Sequence, residues 1–308
     1  MKAVTLFLFF GLATSATAQM TYQNLTVQYD SAIIYKNLKL IPIVQKNRGI
    51  QAGPNILSLG KAIQKGLVTV SERGTASTEN VHWLRINNKS NKPLYIASGE
   101  ILVGGRQDRM VTKDTILMPA GADQYVSVMC VEEDRWSERE KKFTYFNYAN
   151  PRLRKVVDHS KNQVLIWNEI FKQLDSTKTK SLTQAYAAQR MDKRVTLLQE
   201  EYLRFFRERI KKTDSTWVGL VCMSGDKILG CDIFAGNSLF YDQVEPLLNG
   251  HVEEAINTGK AVQIKDDKVK KYMDKILTDE KSQAEYLKKN GKIFRYQGTV
   301  IHLTGFGE

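Results

Sequence analysis

Residues 98–136 read SGEILVGGRQDRMVTKDTILMPAGADQYVSVMCVEEDRW, and the rest of the predicted fold is organised around them. Two turns, Gly104-Gly105 and Pro119-Ala120-Gly121, separate runs rich in β-branched and apolar residues, which predicts short strands. Charged side chains therefore fall near strand ends, where functional sites are often built. Together with one residue from the end of an earlier strand, the candidate ligand-binding residues are Glu72, Glu100, Gln107, Arg109, Glu132, Arg135 and Trp136.

Similar short strands precede this stretch, and helical patterns follow it. Strand-like runs lie at 25–29, 32–35, 38–44, 67–71, 81–86, 94–97, 109–111, 115–118 and 125–131. From Arg152 the apolar period becomes that of amphipathic helices, and the apolar face of one helix is predicted at Val164, Trp167, Phe171 and Leu174. The remaining elements are a hairpin at 216–223 and 227–234, helices at 245–257 and 267–289, and strands at 292–297 and 299–303.

This order of elements predicts an α+β fold. We expect a mainly antiparallel β-sandwich or barrel-like sheet with an inserted amphipathic helical section and a C-terminal portion of β-hairpin and helix. Because strands lie on both sides of the helices, residues 19–308 are predicted to form a single α+β domain. The alternative is a β-rich part, 19–150, followed by a helical and hairpin part, 151–308.

Composition narrows the class of protein. The chain has 308 residues, of which 42% are hydrophobic and 25% charged, as expected of a globular protein with a sizeable core. Its formal net charge is +12, and residues 137–212 hold eighteen Lys and Arg against nine Asp and Glu. A solvated helix face explains this excess. The basic helices lack interleaved aromatic residues on their basic face, so nucleic acid is not expected as a partner.

The first eighteen residues are typical of a secretory signal peptide. Met1-Lys2 is the positive start, residues 3–12 are apolar, and Ala16-Thr17-Ala18 resembles a cleavage site before Gln19. The apolar run is about half of the ~20 residues that a spanning helix needs, and no Cys follows the cleavage site, so no stable membrane anchor is expected. We expect a soluble periplasmic or secreted protein, whose mature N-terminus mass spectrometry can check.

Export bears on two of the three cysteines, because an oxidising compartment permits disulfides. Cys222 and Cys231 flank a predicted hairpin turn and are a candidate disulfide. A turn at residues 225–226 would place Leu229 opposite Cys222, whereas a turn at residues 226–227 would place Cys231 there. The sequence leaves both registers open.

The sequence carries few of the patterns that mark known chemistry. Its four histidines, His82, His159, His251 and His302, are scattered without ligand spacing, so neither a metal nor a cofactor is predicted. There is no G-x-S-x-G nucleophile elbow. Cys130 lies in an apolar strand and is predicted to be a buried thiol rather than a nucleophile.

Two segments resemble a known family. G-E-I-L-V-G-G-R-Q-D-R and C-V-E-E-D-R-W, at 99–109 and 130–136, are similar to motifs of the ARG and Rhodanese-Phosphatase-superfamily-associated Protein domain family, although Asp108 stands where Asn is expected. The resemblance extends back to T-V-S-E and forward to G-C-D-I-F, over most of the mature chain. The family name records an association with ADP-ribosylglycohydrolase-type and phosphatase-type proteins, and this implies ADP-ribose or nucleotide chemistry without establishing an activity.

Two functional hypotheses follow for the candidate residues. In the first, Arg109 and Arg135 bind a small anionic, nucleotide-like ligand, Trp136 stacks on it, and Glu100 or Glu132 acts as a base or binds hydroxyls. In the second, the same Glu and Arg side chains pair with each other and stabilise the turns of a non-catalytic envelope interaction or structural module. The second is preferred for the motif, because Glu and Arg without a nucleophile, metal or His base are thin evidence for catalysis.

Overall fold

The computed structural model describes residues 19–46, 55–74, 80–136, 142–210 and 216–308. The predicted signal peptide, residues 1–18, lies outside them, so export stays a prediction. The strands in this part of the chain are β1 (Leu25–Val27), β2 (Ile33–Tyr35), β3 (Leu38–Gln45), β4 (Leu57–Ser58), β5 (Val68–Glu72), β6 (Trp83–Asn88), β7 (Leu94–Ile96), β8 (Glu100–Val103), β9 (Arg109–Val111), β10 (Thr115–Leu117), β11 (Gln124–Cys130), β12 (Thr144–Tyr148), β13 (Trp217–Ser224), β14 (Lys227–Phe234), β15 (Gly291–Tyr296) and β16 (Thr299–Phe306). The α-helices are α1 (Leu59–Gln64), α2 (Pro151–Ser160), α3 (Gln163–Ser176), α4 (Lys193–Arg209), α5 (Asn237–Thr258), α6 (Asp266–Ile276) and α7 (Glu280–Asn290).

The largest sheet combines strands from the two ends of the chain. Its order is β1-β3-β13-β14-β16-β15, with β2 also paired to β3, and all these pairs are antiparallel. The predicted hairpin forms its centre as β13 and β14. Strand β16 lies beside β14 and places Thr304 opposite Asp232. Helix α5 packs against β13 and β14, and buried residues of α6 and α7 join the same core.

Residues 98–136 contribute to two smaller sheets. Strands β8, β9 and β11 lie in an antiparallel six-stranded sheet of order β12-β8-β9-β11-β6-β5. Strand β10 instead pairs with β7 in a three-stranded sheet, in which β7 also pairs with β4 in parallel. Antiparallel sheets with an inserted helical section and a C-terminal hairpin and helices confirm the predicted α+β fold.

The apolar core includes residues from both sides of the alternative domain boundary at residue 150. One buried cluster joins Leu40, Tyr95 and Tyr148 to Val218 and Leu303. The division into domains stays a prediction.

Helices α2 and α3 cover one part of the six-stranded sheet, and polar side chains start both of them. Asn150 accepts a hydrogen bond from the backbone N–H of Leu153, with Pro151 as the first helical residue, and Asn162 caps α3 in the same way. Their buried side chains pack with Ile101 and Met110. No helix among the described residues is long and apolar enough to cross a lipid bilayer.

Half of the predicted apolar face of α3 is wrong, because Val164 and Phe171 are 59% and 57% exposed. Leu174 is buried and Trp167 packs against the same core, as predicted. Ile166 and Ile170 are buried beside them. The helix carries two overlapping apolar stripes, and packing against α2 and the sheet selects the second.

The helix predicted at residues 267–289 is two helices. Helix α6 ends at Ile276, and α7 begins at Glu280 because the side chain of Asp279 accepts hydrogen bonds from the backbone N–H groups of Lys281 and Ser282. Strand β12, which pairs with β8 at the edge of the six-stranded sheet, was not predicted from the sequence.

The candidate disulfide is not formed. Cys222 and Cys231 are free thiols, and both are buried. Cys130 is buried as well, which confirms the prediction of its burial. The turn is at residues 225–226, but a bulge shifts the register so that Cys222 lies opposite Gly230 rather than Leu229. Because directly opposed residues share a face of the sheet, Cys231 lies on the other face, and a bridge would need a different register.

Candidate functional site

The turn at Gly104 and Gly105 is held by the guanidinium group of Arg135. Its Nη1 and Nη2 donate to the carbonyls of Gly105 and Gly104, at 2.9 and 3.1 Å. Nε donates to Glu132 Oε2 at 2.8 Å, and Nη2 to Asp108 Oδ1 at 2.8 Å. Burial raises the pKa of Asp108 to about 6, against the lowering effect of its hydrogen bonds from Gly104 and Arg135. The donors of Arg135 are therefore used within the turn.

Arg109 lies beneath this turn, and its side chain is fully buried. Its Nη1 donates to the carbonyl of Gln107 at 2.9 Å, and its Nη2 is 3.7 Å from Glu72 Oε1. The same oxygen of Glu72 accepts from the backbone N–H of Arg106 at 2.8 Å. Gln107 in turn donates to the carbonyl of Glu132 at 3.1 Å. Glu72 thus connects the end of β5 to the turn before β9.

Gly105 makes this close packing possible. Its φ is +51°, and a Cβ atom there would lie 2.1 Å from the ring of Phe143 and 2.6 Å from Glu72 Oε1. Any side chain would displace one of these two groups.

Six of the seven candidate residues therefore come together, with Trp136 at the edge. Trp136 is 50% exposed, and the guanidinium carbon of Arg106 lies 5.5 Å from its ring centroid. Within the part of the chain that the structure describes, the charges of this motif pair mainly with one another. This arrangement supports the structural interpretation of the motif.

Glu100, the seventh candidate, lies apart from the others. It is fully buried, and its carboxyl group accepts hydrogen bonds from the backbone N–H of Ala97 at 2.8 Å and from the hydroxyl of Tyr145 at 3.1 Å. Burial raises its pKa to about 8, although both hydrogen bonds lower it. Glu100 is therefore mostly protonated at neutral pH. The predicted pairing of Glu100 with Arg109 or Arg135 is wrong, because its hydrogen bonds go to Ala97 and Tyr145 instead.

The stability of the protein should depend on pH through Glu100. Its pKa is higher in the folded state than the usual 4.5, so its contribution to stability is largest below pH 4.5 and is lost as the pH rises to about 8. Glu100→Gln cannot ionise, so its free energy of unfolding relative to wild type should rise between about pH 5 and 8. Urea unfolding across this range measures the difference, and Glu200→Gln, at an exposed position of α4, should follow the wild-type profile. A constant offset between Glu100→Gln and wild type would contradict the assignment.

A cleft of about 1090 Å³ lies between β11 and the loop from β9 to β10 on one side and α2, α7 and β15 on the other. The six candidate residues that come together around the Gly104-Gly105 turn, here called the turn motif, are Glu72, Gln107, Arg109, Glu132, Arg135 and Trp136. None of them lines the cleft. Its lining includes the rings of His159 and Phe294. The charged residues of the lining are five lysines and two aspartates, namely Lys113, Lys161, Lys288, Lys289, Lys292, Asp114 and Asp158. With histidine neutral, the lining carries a net charge of +3.

The lysines of this basic cleft differ in their partners. Lys292 is fully engaged, since its Nζ lies 2.7 Å from Asp158 Oδ1, 2.8 Å from Ser98 Oγ and 3.2 Å from the carbonyl of Thr112. Lys288 pairs with Glu285 at 2.6 Å. Among the described residues, no carboxylate lies within ion-pair distance of the remaining three, which are Lys113, Lys161 and Lys289.

A chain of alternating charges runs inward from the wall of the cleft. His302 lies between two carboxylates, with Nδ1 2.8 Å from Asp114 Oδ1 and Nε2 3.1 Å from Asp232 Oδ1. Asp232 also accepts two hydrogen bonds from Arg154, at 2.9 and 2.7 Å. Burial alone would lower the pKa of His302, but the two carboxylates raise it above its usual value. Within the described residues, no group of three or more His, Cys, Asp or Glu could hold a metal ion.

Sequence reasoning missed both the cleft and this charged chain. Asp114 and His302 are 188 positions apart, and the unpaired lysines belong to three separate elements or loops. No local pattern in a single sequence connects such residues.

A second cavity, of about 550 Å³, lies between α1, β12 and α5. Tyr145 and Tyr241 contribute rings to its wall, and Lys61 forms an ion pair with Asp242 within it. Because these two charges pair with each other, they are less available to bind an ionic ligand.

These features define an α+β protein of antiparallel sheets with a basic cleft between sheet and helices. The model of the ARG and Rhodanese-Phosphatase-superfamily-associated Protein domain matches residues 26–306, so the chain belongs to this family. The resemblance of its motifs is thereby confirmed. No curated protein and no solved structure matches the chain.

Proposed function

We propose that this protein binds a small anionic, nucleotide-like ligand, and that it does so in the basic cleft rather than at the turn motif. The observation that carries the proposal is the convergence of Lys113, Lys161 and Lys289 on one concave surface, with no carboxylate of the described residues within ion-pair distance of any of them. Like charges gathered in this way repel one another, and a bound anion relieves the repulsion. Lysine is a common ligand for phosphate.

The apolar part of the same cleft supports the nucleotide-like character of the ligand. Phe294 is partly exposed and lines the cleft beside Ile293 and Met129. An aromatic face next to cations suits a ligand that combines a planar base with a phosphate. The family name points the same way, and the N-terminal pattern adds the proposal that the protein meets this ligand after export.

Titration calorimetry with AMP, ADP-ribose and uncharged adenosine tests the site. Removing Lys113, Lys161 or Lys289 by substitution with Ala should weaken binding of AMP roughly three- to fivefold each, the size of an exposed ion pair worth up to about 1 kcal/mol. Raising the salt concentration should weaken it further, because the lysines are exposed.

The matched control is Lys89→Ala, which removes the same charge from an exposed position outside the cleft. It should leave the affinity unchanged. Equal affinities for AMP in all four variants and wild type would place the ligand elsewhere.

The second candidate function is a non-catalytic envelope interaction module. Exposed apolar side chains on α3 favour it, since Val164, Leu165 and Phe171 are each at least half exposed. The self-paired turn motif would then serve only to keep the sheet rigid. Failure of every anionic probe to bind in the experiment above would favour this function over the first.

A further inference from the structure

The wall of the basic cleft contains the carboxylate of Asp114, whose two oxygens have different surroundings. Asp114 Oδ1 accepts a hydrogen bond from the hydroxyl of Tyr95 at 2.6 Å and lies 2.8 Å from His302 Nδ1. No described residue donates a hydrogen bond to Oδ2. One oxygen is therefore anchored in the interior, and the other remains for a partner in the cleft.

The groups behind Asp114 hold it in place and in its ionised form. His302 is anchored on its other side by Asp232, which Arg154 holds through two hydrogen bonds. Burial by itself would raise the pKa of Asp114, but His302 and Tyr95 together lower it below its usual value. An ionised carboxylate is a hydrogen-bond acceptor only.

The Asp114 carboxylate would repel a phosphate group, so in an anion-binding cleft it must contact a different part of the ligand. The other carboxylate there, Asp158, is neutralised by Lys292 at 2.7 Å. Asp114 has no such lysine within ion-pair distance among the described residues, yet Lys113 is its neighbour in the chain. An acceptor beside a cation matches a ligand that presents a hydroxyl close to a phosphate, as ribose does in a nucleotide.

We propose that Asp114 Oδ2 accepts a hydrogen bond from a hydroxyl of the bound ligand, so that the cleft selects phosphates of hydroxyl-bearing sugars over their deoxy counterparts. This inference rests on the proposed binding of anions in the cleft and names the class of ligand: a ribonucleotide or a ribose phosphate. Without the hydroxyl, Asp114 would be desolvated by the ligand and gain no donor in return.

Calorimetry on the unaltered protein gives the primary test, with AMP, 2′-deoxy-AMP, 3′-deoxy-AMP, ribose 5-phosphate, 2-deoxyribose 5-phosphate and inorganic phosphate as probes. At least one deoxy compound should bind ten- to a hundredfold more weakly than its parent. The ribose 5-phosphate pair tells whether the sugar phosphate alone suffices or whether the base is needed as well. Equal affinities within every pair would overturn the inference while leaving anion binding in place, whereas no binding of any probe would remove both.

Two variants locate the selectivity. In Asp114→Asn the carbonyl oxygen should take the place of Oδ1, because Tyr95 and His302 both donate there, and the amide NH₂ should face the cleft. The ratio of affinities for parent and deoxy compound should then fall severalfold, because a neutral amide makes a weaker hydrogen bond to the hydroxyl than the carboxylate does. Asp158→Asn removes the same charge from the same cleft and should keep the wild-type ratio. If Asp158→Asn lost the preference for the parent compound, or if a folded Asp114→Asn protein kept it, the hydroxyl contact would belong to another residue. If Asp114→Asn does not fold, the comparison of probes on the wild-type protein decides.

Discussion

Replacing Arg154 with Met should lower the free energy of unfolding by about 3 to 5 kcal/mol, the cost of leaving one member of a buried ion pair alone. Arg154 donates to both oxygens of Asp232, and the two side chains are 7% and 4% exposed. Without Arg154, the Asp232 carboxylate would keep hydrogen bonds to His302 and Thr304 but lose its strongest cationic partner. Urea unfolding followed by circular dichroism measures the loss.

The control for Arg154→Met lies on the same helix. Lys155 is exposed and donates to the carbonyl of Gly307 at 2.9 Å. Lys155→Met should cost less than about 1 kcal/mol. Equally small losses in the two variants would mean that the charged chain from Asp114 to Arg154 contributes little to the fold.

Replacing Arg109 with Met should also destabilise the protein, by about 3 kcal/mol, and should leave ligand affinity in the basic cleft unchanged. Arg109 is fully buried next to Glu72, so its removal leaves a buried carboxylate without its nearest cation. Denaturant unfolding gives the first quantity and calorimetry with AMP the second.

Arg85 on β6 is the control for Arg109, because it lies in the same sheet at a partly exposed position. Its side chain is 43% exposed and lies 3.5 Å from Asp123, which is 69% exposed. Arg85→Met should therefore change stability by less than about 1 kcal/mol. If Arg109→Met instead kept wild-type stability and lost its affinity for AMP, the turn motif would be the ligand site after all.

Local signals in the sequence were enough to predict most strands and helices and the turn at Gly104 and Gly105. Strand alternation, the Gly-Gly turn and the residues that cap helices act over a few positions, so the α+β class and most strands could be predicted. The pairing of Glu132 with Arg135 was predictable for the same reason, since three positions separate them. One local signal was missed: Asp279 caps the start of α7 inside a stretch that was predicted to be a single helix.

Which faces are buried and which charges meet depends on how distant parts of the chain pack together. The buried stripe of α3 depends on what packs against it, and Glu100 is buried beside Tyr145, which is 45 positions away, rather than beside the arginines. The basic cleft brings Lys113 and Lys289 to one surface, and the contact of Asp114 with His302 spans 188 positions. The physical reason is that conformational preference acts between neighbours in the chain, whereas burial and Coulomb interactions act between neighbours in space, and the fold alone sets which residues those are.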